Sequence, residues 1–278
     1  MSFFEFEDVK LCYEEVGEGI PFLLIHGWAI DHYFLKNAME PVFAKVNYGF
    51  RRIYVDLPGM GESSHGSVRN GDDIVRVLMA FMDGLIGDAP FMVGGNSFGS
   101  EISRAICARY PERILALMLI VPSDGIESKR PDNGIYRIDE AFMESLPEGM
   151  RDAFSRMNAN LTKEAYERYV KLAWPSVCHE LNNDYLHHVL KGKFGFNINK
   201  AFEKKRYDSD VLILVGDHDT AVGYENQKNW LSLWRRGEYK VIRGAGHNIN
   251  IDCPEEFEET VSEWLIKSAS HCCTAGKP

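Results

Sequence analysis

The feature that most constrains this chain is a repeated alternation between short apolar runs and stretches with helical apolar spacing. Residues 21–26, 52–56, 90–94, 114–121, 211–216 and 239–243 read as strands. Several are apolar without a two-residue alternation, as expected for strands covered on both faces. Residues 3–16 alternate more and end at Gly17 and Gly19, which predicts an opening antiparallel pair. Between the strands, residues 72–85 carry Ile74, Leu78, Phe81, Met82 and Leu85 on one helical face. Residues 98–110 carry Ile102, Ala105, Ile106 and Arg109 at helical spacing before Pro111. Residues 254–266 carry Phe257, Val261, Trp264 and Leu265, with Glu255 and Glu256 in the first turn, where the helix dipole favours acids. Strands that alternate with helices imply an α/β class with a mostly parallel sheet flanked by helices.

Residues 123–206 break the rhythm. No convincing strand stands there, and the polar start reads as a linker. Helical stretches follow, rich in aromatics: Phe142, Phe154, Tyr166, Tyr169, Trp174 and Tyr185. The expectation is a helical cap inserted over the sheet, with most of these rings forming the cap's own core. Residues 1–122 and 207–268 then make the sheet-bearing core. Residues 269–278 are small and polar and predict a disordered tail. No internal repeat is present.

The formal net charge is −10. Phosphate binding needs a basic footprint, so nucleic acid is not an expected partner. Six scattered Cys are too irregular for a disulfide framework and read as small buried hydrophobes. The acidic N-terminus has neither the basic nor the apolar region of a signal peptide. No apolar run approaches the length of a membrane span. These features predict a cytoplasmic protein with no membrane partner.

The chemistry concentrates in the turns after the strands. Gly95-Asn96-Ser97-Phe98-Gly99 fits the pattern G-x-S-x-G, follows an apolar strand and opens a helix. That setting makes Ser97 a candidate nucleophile on a strained turn. The alternative is a glycine-rich turn whose serine merely caps the helix. A serine hydroxyl needs a neighbouring base, and His247, in the loop after residues 239–243, is the candidate. The base needs a carboxylate to fix its tautomer. Asp219 is the first choice, after the strand at 211–216 and in the chain order Ser, acid, His. Asp217 reads as a structural loop acid, and Asp124, after the strand at 114–121, is a second candidate for the acid. The developing oxyanion needs donors. The backbone N–H of Phe98 and, from the loop after residues 21–26, that of Trp28 are expected to form the oxyanion hole.

With these residues in place the chain resembles the α/β-hydrolase superfamily. The resemblance rests on five ordered motifs: His26-Gly27-Trp28, Asp56-Leu57-Pro58-Gly59-Met60-Gly61-Glu62-Ser63, the Ser97 elbow, Gly216-Asp217-His218-Asp219 and Gly244-Ala245-Gly246-His247. It implies an eight-stranded, mostly parallel sheet, a variable cap over residues 123–206, and no cofactor. The Ser nucleophile departs from the Asp of haloalkane dehalogenases and epoxide hydrolases. The elbow is similar to that of proline iminopeptidases, but His26-Gly27-Trp28-Ala29-Ile30 replaces their His-Gly-Gly-Pro-Gly loop. Competing motifs fail: Ser64 stands where a dinucleotide fingerprint needs its third Gly. Cys178-His179, His187-His188 and Cys272-Cys273 lack zinc-site spacing, so no metal is expected.

The expected activity is two-step acyl transfer to water, on a small and largely apolar carboxylic ester. His26, Gly27 and Trp174 are expected to bind this small-molecule substrate. A C–C bond hydrolase, a thioesterase, a lactonase and an amidase or aminopeptidase are alternatives on the same residues, as is a slow-turnover receptor for a small molecule. Oligomeric state is left open.

Overall fold

The computed structural model describes residues 1–123, 129–180, 183–186 and 205–275. Strands β1 (Ser2–Phe6) and β2 (Val9–Val16) form the antiparallel opening pair. β3 (Ile20–Ile25), α1 (His32–Phe43), β4 (Phe50–Val55), α2 (Gly71–Ile86), β5 (Phe91–Asn96), α3 (Phe98–Arg109) and β6 (Ile114–Ile120) follow. The segment between β6 and β9, called the cap below for its place in the chain, then contributes β7 (Arg137–Ile138), α4 (Glu140–Ser145), α5 (Glu148–Ser155), β8 (Asn160–Leu161), α6 (Lys163–Leu172) and α7 (Trp174–Glu180) among the described residues. The chain returns with β9 (Tyr207–Gly216), β10 (Trp234–Ile242), α8 (Ile249–Asp252) and α9 (Pro254–Ala275).

Eight strands form one sheet in the order β1-β2-β4-β3-β5-β6-β9-β10. β2 runs antiparallel to both its neighbours, and every pair from β4 to β10 is parallel. The apolar, non-alternating strands are buried on both faces as their composition requires. Leu23, Ile25, Val93 and Ile213 face the side covered by α2 and α3. Phe22, Leu24, Met92 and Leu214 face the side of α1 and α9. The chain leaves β3 toward β4 on one side and later enters β5 on the other. This is a topological switch point, the place where open α/β sheets leave a crevice at the carboxyl ends of their strands.

Three elements differ from the sequence reading. Helix α1 is missing from the sequence reading: Pro41 in its last turn masks it as a helix, although Phe34, Leu35, Ala38, Met39 and Val42 recur at helical spacing, with Lys36, Asn37 and Glu40 off that stripe. Its N-cap Asp31 accepts the Tyr33 N–H, and Phe34, Leu35, Ala38, Met39 and Val42 are buried. Among the described residues the cap holds a two-residue parallel pair, β7 with β8, where no strand is expected. The terminal helix α9 continues to Ala275, well into the segment whose composition predicts disorder. Ser268 and Ala269 are fully buried. They extend the stripe of Phe257, Val261, Trp264 and Leu265, and small side chains at those positions let the helix pack closely.

The cap is held by apolar packing. Phe142 and Phe154 meet Tyr166 edge-on, and Phe154 lies 5.3 Å from Tyr169 between ring centroids. That cluster also takes in Ile30 and Phe34 from the β3–α1 region and Ile251 from α8, so the cap shares its core with the sheet domain. Tyr185 stacks on His65 at 4.4 Å and donates its hydroxyl to Val68 O.

Candidate active site

The turn after β5 is built by two close approaches. A Cβ on Gly95 would lie 2.2 Å from the backbone carbon of Gly99, and one on Gly99 would lie 2.1 Å from Ile25 O. Only glycine lets strand and helix cross this tightly. Ser97 sits between them at φ 52°, ψ −116°, a strained conformation for a residue with a side chain. Its N–H donates to Ile120 O at 2.8 Å. Ser100 locks the turn by donating to Gly95 O or Ile120 O, both within hydrogen-bond reach. The Ser97 hydroxyl makes no capping hydrogen bond to α3. The side chain is thus held at the helix N-terminus without being used as a cap.

His247 lies in the loop between β10 and α8. Its Nδ1 is 2.8 Å from Oδ2 of Asp219. Asp219 is fully buried, and its Oδ1 accepts the N–H groups of Ala221 and Val222 at 2.8 and 3.0 Å. An ionised carboxylate only accepts, so Nδ1 carries the proton and Nε2 of the neutral ring is left as an acceptor. Asp217 does a different job. Its Oδ1 accepts the Gly244 N–H at 2.7 Å and contacts His218 Nδ1, tying the β9 turn to the start of the His247 loop. Asp124 lies outside the described residues, as do His187 and His188.

Ser97 and His247 open onto one cavity of about 610 Å³. Gly27, Trp28, Ala29 and Ile30 form one wall, from the loop after β3. Ala29 also adopts a positive φ, 55°. The Trp28 ring packs edge-on against that of Phe98, the residue after Ser97. The cap supplies the opposite wall through Gly149, Asp152, Ala153, Arg156 and Met157, with Tyr169, Trp174 and Val177 behind. Ala221 and Val222, whose N–H groups bind Asp219, complete the lining with Phe34, Asn96 and Asn248.

Of the residues expected to bind substrate, Gly27 and Trp174 line this cavity and His26 does not. His26 is wholly buried beneath the loop, Nε2 accepts the Leu57 N–H at 2.9 Å, and Nδ1 lies 2.8 Å from Gly27 O. It is a strut between two loops. Burial holds its pKa below the ordinary imidazole value, against the opposing pull of Asp56 and the Gly27 carbonyl. Asp56 is equally structural: its Oδ1 accepts from His32 N–H and Nδ1, and its Oδ2 from Glu62 N–H. Burial pushes the Asp56 carboxyl up, but these bonds and the neighbouring imidazoles outweigh it and the net shift is downward.

Four polar cavity residues were not singled out by the sequence reading: Asn96, Asn248, Asp152 and Arg156. Asn96 and Asn248 directly precede Ser97 and follow His247, and that adjacency was a usable signal. Asp152 and Arg156 stand one helical turn apart, and nothing local distinguishes them from a solvated face. No group of three or more His, Cys, Asp or Glu among the described residues could hold a metal ion. No helix among them is long and apolar enough to cross a membrane.

Comparison with known proteins agrees with this fold. A solved alpha/beta superfamily hydrolase from Oenococcus oeni superposes with a TM-score of 0.84 at 25% identity, covering 97% of this chain and all of that one. A thermophilic esterase from Thermogutta terrifontis superposes at 0.66 with 20% identity, over 94% of each chain. Among curated proteins, the 2-hydroxy-6-oxononadienedioate/2-hydroxy-6-oxononatrienedioate hydrolase of Escherichia coli is 23% identical over 93% of this chain and 92% of its own length. The family model described as alpha/beta hydrolase fold matches residues 20–254, which contain the elbow, the Asp219 turn, the His247 loop and the cap between them. The chain belongs to the alpha/beta hydrolase fold family.

Proposed function

We propose that the protein is a serine hydrolase that cleaves a small, largely apolar carboxylic ester through an acyl-enzyme on Ser97. The observation that carries this reading is the hydrogen bond between buried Asp219 and His247, which lines the same cavity as the strained Ser97. His247 Nε2 takes the Ser97 proton as Oγ attacks the carbonyl carbon. Asp219 keeps the imidazole in the required tautomer and stabilises the imidazolium. The N–H groups of Phe98, at the positive end of α3, and of Trp28 stabilise the tetrahedral oxyanion. His247 then gives its proton to the leaving alcohol, activates water, and the second tetrahedral intermediate collapses to acid and free Ser97.

The cavity volume suits a small organic molecule. Trp28, Ile30, Phe34, Trp174 and Val222 favour an apolar group, and excluding water there strengthens the oxyanion contacts.

A second reading is C–C bond hydrolysis of a ketone. Two observations favour it: the near-full-length match to the Escherichia coli dioate hydrolase, and the polar groups Asn96, Asn248 and Arg156 on the cavity wall. A panel of p-nitrophenyl esters of rising acyl length, run beside a 2-hydroxy-6-oxo-dienoate, separates the two. The ester reading expects steady turnover of short and medium esters and at most slow loss of the dienoate chromophore. The reverse ranking would replace it, and a stoichiometric burst without steady turnover would mark a receptor.

A further inference from the structure

Both chain neighbours of His247 are tied to the cap. The Asn248 N–H donates directly to Met157 O at 3.0 Å. The Gly246 N–H donates to Oδ2 of Asp252 at 2.8 Å, and the same oxygen accepts the Ala159 N–H at 2.8 Å. Oδ1 of Asp252 accepts the Asn160 N–H at 3.1 Å. The Asn160 side chain closes the ring, with Nδ2 in reach of Gly244 O at 2.9 Å and Asp252 O at 3.1 Å. Residues 157–160 lead from α5 into β8, and Met157 lines the cavity. The loop that carries His247 and the cap wall above it therefore share one buried hydrogen-bond ring.

The chemistry of that ring demands a carboxylate. Three backbone N–H groups converge on Asp252, which is 6% exposed. An ionised carboxylate is acceptor-only on both oxygens and satisfies all three. An amide of the same shape would turn its own NH₂ on at least one donor. Leaving a buried donor unmatched is costly.

We propose that Asp252 is a positioning residue that couples the placement of the cap to the alignment of His247. The proposal rests on His247 acting as the base. Through Gly246 and Asn248, a displacement of the cap wall moves the backbone on either side of the imidazole. A cap seated on its substrate holds the ring against Ser97.

The coupling carries its own pH dependence. Burial pushes the Asp252 carboxyl up to about 6, and the three N–H bonds and the charge of Arg168 offset only part of that. A proton on either oxygen occupies a position that now accepts an N–H, so a tie is lost. The charged and titratable groups around the ring are Arg168 on α6, His247 itself, the Asp217–His218 pair beside Gly244, and Cys253 with Glu256 and Arg137 beyond it. A raised value means that the folded state takes up this proton before the unfolded chain does. From this group alone, fold stability grows as pH falls through about 6. Loss of function there is loss of alignment, with the fold intact.

The test uses Asp252→Asn in the full chain, with two readouts. Amide hydrogen exchange should quicken at both 157–160 and 244–248 while β5 and β6 keep their protection. The rate of fluorophosphonate labelling of Ser97 should fall about tenfold at neutral pH, the scale of one lost buried hydrogen bond. Its acid limb should drop with one proton, whereas the wild-type limb steepens to two below about pH 6. Asp252→Glu keeps an acceptor-only group and should keep the two-proton limb, which decides the matter if the Asn variant does not fold. Exchange that quickens in only one segment or in neither, or labelling unchanged in rate and steepness, overturns the coupling. If wild-type Ser97 does not label at all, the reading of the site fails, and the exchange result still decides whether Asp252 joins cap and loop.

Discussion

Gly99 passes β3 so closely that a Cβ on it would sit 2.1 Å from the carbonyl oxygen of Ile25. The contact is with backbone, which cannot swing aside as a side chain can. It fixes how α3 leaves β5, and so where Ser97 projects. Gly99→Ala should lose at least the roughly 1–3 kcal/mol typical of overpacking. Gly149 is the control: an added Cβ there meets nothing within 4 Å, and the residue lies inside α5. Gly149→Ala should gain up to about 1 kcal/mol of helix propensity. Urea midpoints of the two variants check both signs.

Asp219 and Asp217 stand two residues apart and should behave very differently. Asp219→Asn reverses the donor at His247 Nδ1 and should lower kcat by about 10⁴. Asp217→Asn loosens the Gly244 and His218 contacts and should cost less than about tenfold, since such a bond is worth only about 1 kcal/mol. Steady-state kinetics on one good substrate checks the ranking, and equal losses would remove the distinction.

Phe154 and Trp174 separate the cap's core from its pocket. Phe154 is fully buried among Tyr166 and Tyr169 and does not line the cavity. Phe154→Ala should destabilise by about 3–5 kcal/mol and leave the acyl-length profile of the folded enzyme unchanged. Trp174 lines the cavity and lies 6.2 Å from Tyr169 between centroids. Trp174→Ala should shift relative kcat/KM between chain lengths by roughly 10–200-fold while Ser97 still reacts with a small phosphonate.

His26 makes a pH prediction with a definite sign. Its folded pKa is depressed by burial, so the unfolded chain binds this proton first. The stability it contributes is present above the ordinary imidazole value of 6.5 and is lost as pH falls below it. Asp252 contributes the opposite slope through about 6, so the total is not diagnostic. The difference between wild type and His26→Gln is. The variant should be less stable at pH 8, and the gap should narrow by pH 5. A gap that widens on acidification would contradict the buried neutral imidazole.

The elbow was legible in the sequence because its geometry admits few residues. Gly95, Ser97 and Gly99 are a local signature of a contact that is itself local to one turn. The sheet was legible because strands covered on both faces have no polar side to hide their pattern. Helix α1 went unread because Pro41 argues against a helix, although Phe34, Leu35, Ala38, Met39 and Val42 carry the helical spacing. His26 shows the limit of adjacency: it stands in the loop that lines the cavity, yet its ring turns the other way to brace Leu57. Asp252 was invisible for a different reason. Its partners Ala159 and Asn160 lie more than 90 residues earlier, and only the tertiary fold brings them together.

Every catalytic role proposed above depends on acyl transfer to Ser97. That transfer is tested most directly by mixing the protein with p-nitrophenyl acetate, quenching early, and locating the adduct by peptide mass. One acetyl group should appear on the peptide containing Ser97 in the wild type and should be missing in Ser97→Ala, whose kcat should fall by on the order of 10⁶ with the fold unchanged. An adduct on another residue, or a Ser97→Ala variant that keeps a tenth of the wild-type rate, would contradict the account.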